Sequence, residues 1–255
     1  MKQYHLLYLF ITMIVFGSCK QDKPSGDTGL ANQTDSVEIA KEDILVSDVL
    51  TKEQQAQLKP ADVLKRLIQG NIDFTNDNLT IRNTTKRVRK AALGQYPKAV
   101  ILSCLDSRVP VEDVFHSGIG NLFVSRVAGN IINDDILGSM EYACKISGAK
   151  LVLVLGHEHC GAVKSAIDGF KLGHITKLLE KIEPAIRAAK MSFKGQTRSS
   201  NPAFMEAVCD ENVKVALQEI CSRSPILKEM ESKEAIMIVG AVYDMQSGKV
   251  EILKF

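Results

Sequence analysis

Beyond the first fifty residues the chain alternates two kinds of apolar pattern. Val63, Leu64, Leu67 and Ile68 recur at helical spacing behind Pro60, which suits a first helical turn, and Gly70 closes the run. A second helix is predicted over Thr84–Leu93, ending at Gly94. Ala99–Leu102 is then a continuous apolar run without alternation, as a strand buried on both faces requires. Leu122–Val124, Leu151–Leu155 and Ile236–Val239 repeat it. Helical spacing covers Asp134–Ser147 and much of the stretch from Ile175 to Met230. Strands and helices alternating through short turns predict an α/β fold, a mainly parallel central β-sheet flanked by helices. Ala241–Phe255, with Gln246-Ser247-Gly248 between two strand-like runs, adds a C-terminal hairpin. No repeat or second low-complexity linker divides this region, so residues 48–255 read as a single domain.

The preceding residues follow neither pattern. Lys2 gives a basic start, and a mostly apolar run extends from Leu6 to Phe16. At about a dozen residues it is short of the roughly 20 that span a bilayer as a helix. With the small residues Gly17 and Ser18 after it, this describes an export signal over residues 1–18. Because Cys19 follows directly, the segment resembles a bacterial lipoprotein signal. The resemblance implies cleavage before Cys19, lipid attachment to it, and a bacterial membrane anchor facing the periplasm or cell exterior. Residues 19–47 are polar, contain Pro24, Gly26 and Gly29, and show little periodicity. They bury too little surface to offset ordering and read as a tether.

Composition narrows the function classes. With 45% hydrophobic and 24% charged residues, the 255-residue chain is neither disordered, collagenous nor a multi-span membrane protein. A net charge of +2 offers no broad basic footprint for nucleic acid, and 5% aromatics without Trp offer no base-stacking surface. Six Cys are too few for a disulfide scaffold at this size, yet enough for a metal site.

Ligands of open parallel sheets gather beyond the carboxyl ends of the strands. The first predicted strand runs into Ser103-Cys104-Leu105-Asp106-Ser107-Arg108, and the third into Gly156-His157-Glu158-His159-Cys160-Gly161. Adjacent parallel strands would bring the two together. Cys104, His157 and Cys160 then make a Cys2His set, whose thiolate and imidazole donors suit zinc rather than magnesium or calcium. Three ligands leave the fourth place of a tetrahedron to water, the arrangement of a catalytic zinc. His159, immediately beside Cys160, is expected behind the ligands or in solvent. Gly129, Gly156 and Gly161 are expected to permit tight turns and close backbone approach near the metal.

These two segments resemble the signature of the β-class carbonic anhydrases. The likeness extends to Leu67-Ile68-Gln69-Gly70-Asn71 with Phe74, and to Gly94-Gln95-Tyr96-Pro97-Lys98. It continues through Asn121-Leu122-Phe123-Val124, Arg126-Val127-Ala128-Gly129-Asn130, Gly138-Ser139-Met140-Glu141-Tyr142-Ala143 and Val239-Gly240-Ala241-Val242-Tyr243-Asp244. It covers about Val63 to Phe255. The resemblance implies a zinc enzyme interconverting carbon dioxide and bicarbonate, with one Zn²⁺ per subunit. It also implies a homodimer or a dimer-based tetramer whose cleft lies at the subunit interface. Residue by residue, it implies zinc ligation by Cys104, His157 and Cys160, a dyad of Asp106 and Arg108, and Gln95 reaching substrate from the interface.

Zinc lowers the pKa of a bound water. Two thiolates neutralise its charge, so such a site needs help from surrounding groups to hold and deprotonate the water. Asp106 can accept a hydrogen bond from zinc-bound hydroxide, or, as an oxygen donor, act as an alternate metal ligand. Arg108 offers a bidentate partner that holds the carboxylate away from the metal. Gln95 can donate to the oxygen that gains charge. Two other readings stay open: a carbonyl sulfide or carbon disulfide hydrolase on the same scaffold, and a non-catalytic zinc- or bicarbonate-binding protein. Phe115, Phe123 and Tyr142 are expected to serve packing rather than cofactor contact, Cys144 to lie in the core, and His116 and His174 on the surface. Ser107 is expected to bond within its own loop. Cys209 and Cys221 could pair in an oxidising compartment.

Overall fold

The computed structural model describes residues 49–78 and 84–254, so the predicted export signal, Cys19 and the tether lie outside the described residues. One sheet holds five strands: β1 (Ala99–Ser103), β2 (Leu122–Arg126), β3 (Leu151–His157), β4 (Met237–Tyr243) and β5 (Val250–Ile252). Their order is β2-β1-β3-β4-β5. β1 is parallel to β2 and β3, and β3 is parallel to β4, while β5 runs antiparallel to β4. The helices are α1 (Lys52–Ala56), α2 (Pro60–Thr75), α3 (Thr84–Ala91), α4 (Val111–Val114) and α5 (Asp134–Glu141). They continue as α6 (Gly161–Ile167), α7 (Gly173–Leu179), α8 (Glu183–Ser192), α9 (Pro202–Arg223) and α10 (Pro225–Ser232). The mainly parallel α/β architecture with its terminal hairpin is therefore as expected.

Every residue of β1 and β3 is buried. Alternation sends Ile101, Leu153 and Leu155 to one face, against Val63 and Leu67 of α2 and against Phe115. Val100, Leu102, Val152 and Val154 point the other way, against Met140, Val213, Ile220 and Leu227. Covering on both sides is why these strands are apolar at every position. β2, at the sheet edge, is only half-buried. A third cluster places Ile182, Ala185 and Ile186 with Phe204 and Val208 around Cys104 and Cys160.

Several boundaries differ from the sequence pattern. α2 passes through Gly70 and ends at Thr75. Gly70 is no terminator there: a Cβ would stand 2.3 Å from the Phe115 carbonyl oxygen, so glycine lets α2 pack against the α4 turn. The predicted helix Asp134–Ser147 ends its α-helical part at Glu141 and continues as a π turn over Tyr142–Ile146. That turn buries Ala143 and Cys144 and leaves Tyr142 about half exposed. The predicted strand Ile236–Val239 and the first arm of the hairpin are one strand, β4. α1 was not apparent from periodicity; a capping box between Thr51 and Gln54 starts it, and Gln55 anchors it by donating to the Pro97 and Ser147 carbonyls.

Gly70→Ala is expected to destabilise the fold by about 1–3 kcal/mol, the usual cost of overpacking a rigid contact. A urea titration should show a lower midpoint at unchanged slope.

Candidate metal centre

Strand register builds this site. Ser103 pairs with Leu155, so Cys104 leaves β1 at the level of Gly156-His157, the last residues of β3. Beyond His157, a left-handed turn at His159 (φ 51°) brings Cys160 back before α6 begins. Cys104 Sγ and Cys160 Sγ lie 3.8 Å apart, and with a His157 ring nitrogen they form a buried group whose donor atoms are all within 4.8 Å of one another. Tetrahedral zinc with Zn–S bonds of about 2.3 Å places two sulfurs about 3.8 Å apart, so the pair has the spacing the ion needs. His157 Nδ1 lies 2.8 Å from the Glu158 carbonyl oxygen, which favours a proton on Nδ1 and leaves Nε2 as the donor. Nε2 is buried and has no hydrogen-bond partner among the described residues. A buried imidazole nitrogen left open beside two thiols is what a metal would satisfy.

The thiols share their charge unequally. The hydrogen bond from Cys160, helped by His157 and the Gly129 amide, holds the Cys104 thiol well below its ordinary value against the effect of burial. The same bond, with burial and the Cys104 charge, pushes the Cys160 thiol up. One thiolate therefore disfavours the other, and a divalent cation would favour both.

Asp106 stands beside the ligands, with Oδ2 3.9 Å from His157 Nε2. Both of its oxygens accept from Arg108: Oδ1 from Nε at 2.9 Å and from the backbone amide at 3.0 Å, Oδ2 from Nη2 at 2.8 Å. This fork holds the Asp106 carboxyl well below the usual carboxylate range, mainly through the Arg108 side chain. Asp106 is not a member of the three-residue donor group. Arg126 secures the loop from β2, donating to the carbonyls of Cys104 and Asp106. Its place opposite Ser103 in the β1–β2 register explains the reach, a contact that spacing alone did not reveal.

The remaining candidates are distributed unevenly. Gln95 is exposed ahead of β1, at the opposite end of the strand from Cys104. There it lines a groove of about 500 Å³ with Tyr96, Tyr142 and Ile146, so one chain does not bring it to the metal centre. His159 is exposed, and its carbonyl accepts from Arg108. Ser107 is exposed too, and the loop's bonds are made by Asp106 and Arg108 instead. His174 is exposed on α7. His116 differs from expectation: its left-handed backbone (φ 46°) folds the ring against α2, where Nδ1 lies 3.5 Å from Asp73. Gly129 is left-handed (φ 71°), and a Cβ on Gly156 would stand 2.6 Å from Val213, so both need glycine. Gly161 faces open space and does not. Cys144 and Cys209 are buried, and burial pushes both thiols up to about 12. Cys209 and Cys221 do not pair: both sit on α9, roughly 18 Å apart along its axis, beyond disulfide reach.

A carbonic anhydrase family model matches residues 99–250, spanning both ligand loops. The chain belongs to the β-carbonic anhydrase family. Carbonic anhydrase 2 of Mycobacterium tuberculosis is 34% identical over 163 residues, covering 62% of this chain and 75% of that protein. The carbonic anhydrase of Mycolicibacterium smegmatis is 34% identical over 200 residues, 76% of this chain and 93% of that one. Among solved structures, the β-carbonic anhydrase CcaA superposes with a TM-score of 0.61 at 25% identity, covering 75% of this chain and 95% of that one. Members of the family are zinc enzymes, and Cys104, His157 and Cys160 are the residues that can hold the ion here.

Cys104→Ser, His157→Ala and Cys160→Ser should each weaken zinc binding by more than the roughly 10–100-fold typical of losing an outer partner. Chelator competition with elemental analysis measures this directly.

Proposed function

We propose that the chain catalyses the reversible hydration of carbon dioxide to bicarbonate and a proton, with Asp106 and Arg108 assisting at the zinc centre. The observation that carries this reading is the Asp106–Arg108 fork held 3.9 Å from an open, buried imidazole nitrogen. A merely structural zinc has no need of it. The ion, when held by Cys104, His157 and Cys160, supplies a water acidic enough to act at neutral pH.

The chain's own residues then have distinct tasks. Asp106 stays ionised and therefore accepts a hydrogen bond, fixing the orientation of the attacking oxygen towards carbon dioxide. Arg108 keeps that carboxylate charged and turned away from the metal. The sign of its influence is plain: a neighbouring cation favours the carboxylate, so its removal raises the Asp106 pKa towards the ordinary value. Gln95, as a donor, suits the oxygen that gains charge as bicarbonate forms. Because it lies at the far end of β1, it can do so only from a second copy, which favours a homodimer or a dimer-based tetramer. The half-buried edge strand β2 supports that assembly, as does a groove of about 600 Å³ lined by Phe123, Val124 and Tyr142. One of the similar solved structures is described as a tetrameric β-carbonic anhydrase. The lipoprotein-like start adds export and anchoring through Cys19, with residues 19–47 as the tether. No helix among the described residues is long and apolar enough to cross a membrane.

Stopped-flow hydration of carbon dioxide by the zinc-loaded protein tests the reaction, with carbonyl sulfide assayed on the same preparation. Turnover of carbonyl sulfide without hydration of carbon dioxide would reverse the substrate assignment. Asp106→Asn is expected to retain zinc but lose activity on the order of a hundredfold, the scale of one removed positioning hydrogen bond. Arg108→Ala should lose activity at higher pH than wild type as the solution is acidified. In a bacterial host, mass spectrometry of the membrane fraction should find a mature N-terminus at Cys19 carrying lipid; an unmodified soluble form would refute the anchor.

A further inference from the structure

α9 carries a buried amide on an otherwise apolar face. Asn212 is 3% exposed, and Val208, Cys209, Val213 and Ala216 beside it on the helix are buried as well. A buried amide without a partner is costly, so the group it binds is informative. Asn212 Nδ2 donates to the Gly129 carbonyl at 2.8 Å. The N–H of Gly129 in turn donates to Cys104 Sγ at 3.3 Å. One residue therefore accepts from α9 and donates to a metal-ligand sulfur.

Glycine is the residue whose backbone is least restrained by its own sterics, so its orientation must be set from outside. A side chain is disfavoured at this position, because the backbone is left-handed (φ 71°). Holding the Gly129 carbonyl limits rotation about that residue and so aims its N–H. Val213, the next residue of α9, packs against Gly156 immediately before His157. One stretch of α9 thus reaches both loops that carry the metal donors.

We propose that Asn212 is a positioning residue for the metal centre, acting through Gly129 to direct an N–H at Cys104 Sγ and so set the metal affinity and donor strength of that sulfur. The inference rests on the zinc reading of Cys104, His157 and Cys160. An N–H directed at a thiolate withdraws electron density, which raises the energy of transferring an electron from sulfur to metal. Its loss has the opposite sign.

The test uses the full chain substituted with cobalt, alongside zinc competition against a chelator. Asn212→Leu removes the donor while filling its space, and Asn212→Ala removes it while leaving space. Both should move the thiolate-to-cobalt absorption to longer wavelength and weaken zinc binding roughly tenfold. Ile220→Val, buried on the same helix but in the core on the sheet face, should match wild type in both measurements. If the Leu variant does not fold, the Ala variant decides. Wild-type absorption and affinity in folded Asn212 variants would overturn the assignment, as would an equal shift in Ile220→Val. Neither readout depends on turnover. Wild-type protein that binds zinc but does not hydrate carbon dioxide would therefore overturn the proposed reaction and leave the role of Asn212 standing.

Discussion

Two buried thiolates 3.8 Å apart would be an unfavourable arrangement unless something compensated their charge, and much of the molecule is organised around that pair. Burial disfavours thiolate, and one thiolate disfavours the next. The Cys104 thiol is held low by Cys160, and Cys160 is driven up in return. A divalent cation resolves the conflict, with His157 Nε2 as the third donor. These atoms are positioned by two strands in parallel register and by an apolar cluster from α8 and α9 that closes over them.

The polar half of the centre has another logic. Asp106 and Arg108 are two residues apart, and their fork is local, needing only the turn after β1. Local pairing leaves the guanidinium half exposed while the carboxylate is mostly covered. The anion therefore stays near the ligands and its counter-charge points towards solvent. Arg126 ties the turn to β2 through backbone carbonyls, so the fork does not carry the loop's conformation alone.

The two ends of the sheet are unlike. The carboxyl end holds the buried metal donors, whereas the amino end exposes Gln95 beside Tyr142 and Ile146. The π turn is responsible for part of this: by burying Ala143 and Cys144 it presents Tyr142 outward, next to the half-covered edge strand. A chain built this way keeps its metal donors at one end of the sheet and leaves apolar surface exposed at the other.

The sequence by itself determined the parallel core and the donor set. Strands buried on both faces must be apolar at each position, which makes β1 and β3 visible as runs, and thiolate and imidazole donors are few enough to identify. The Asp106–Arg108 pair was legible for a related reason, since its partners are nearly adjacent. Tertiary structure decided what depends on distant packing. Gly70 resembles a helix stop until Phe115 is seen against it, and His116 resembles a surface residue until α2 covers it. Asn212 looks like one more polar residue in a helix, because the carbonyl it holds is 83 positions away. Periodicity records which face of an element is buried, but not what presses on it, and those contacts arise only when separate elements meet.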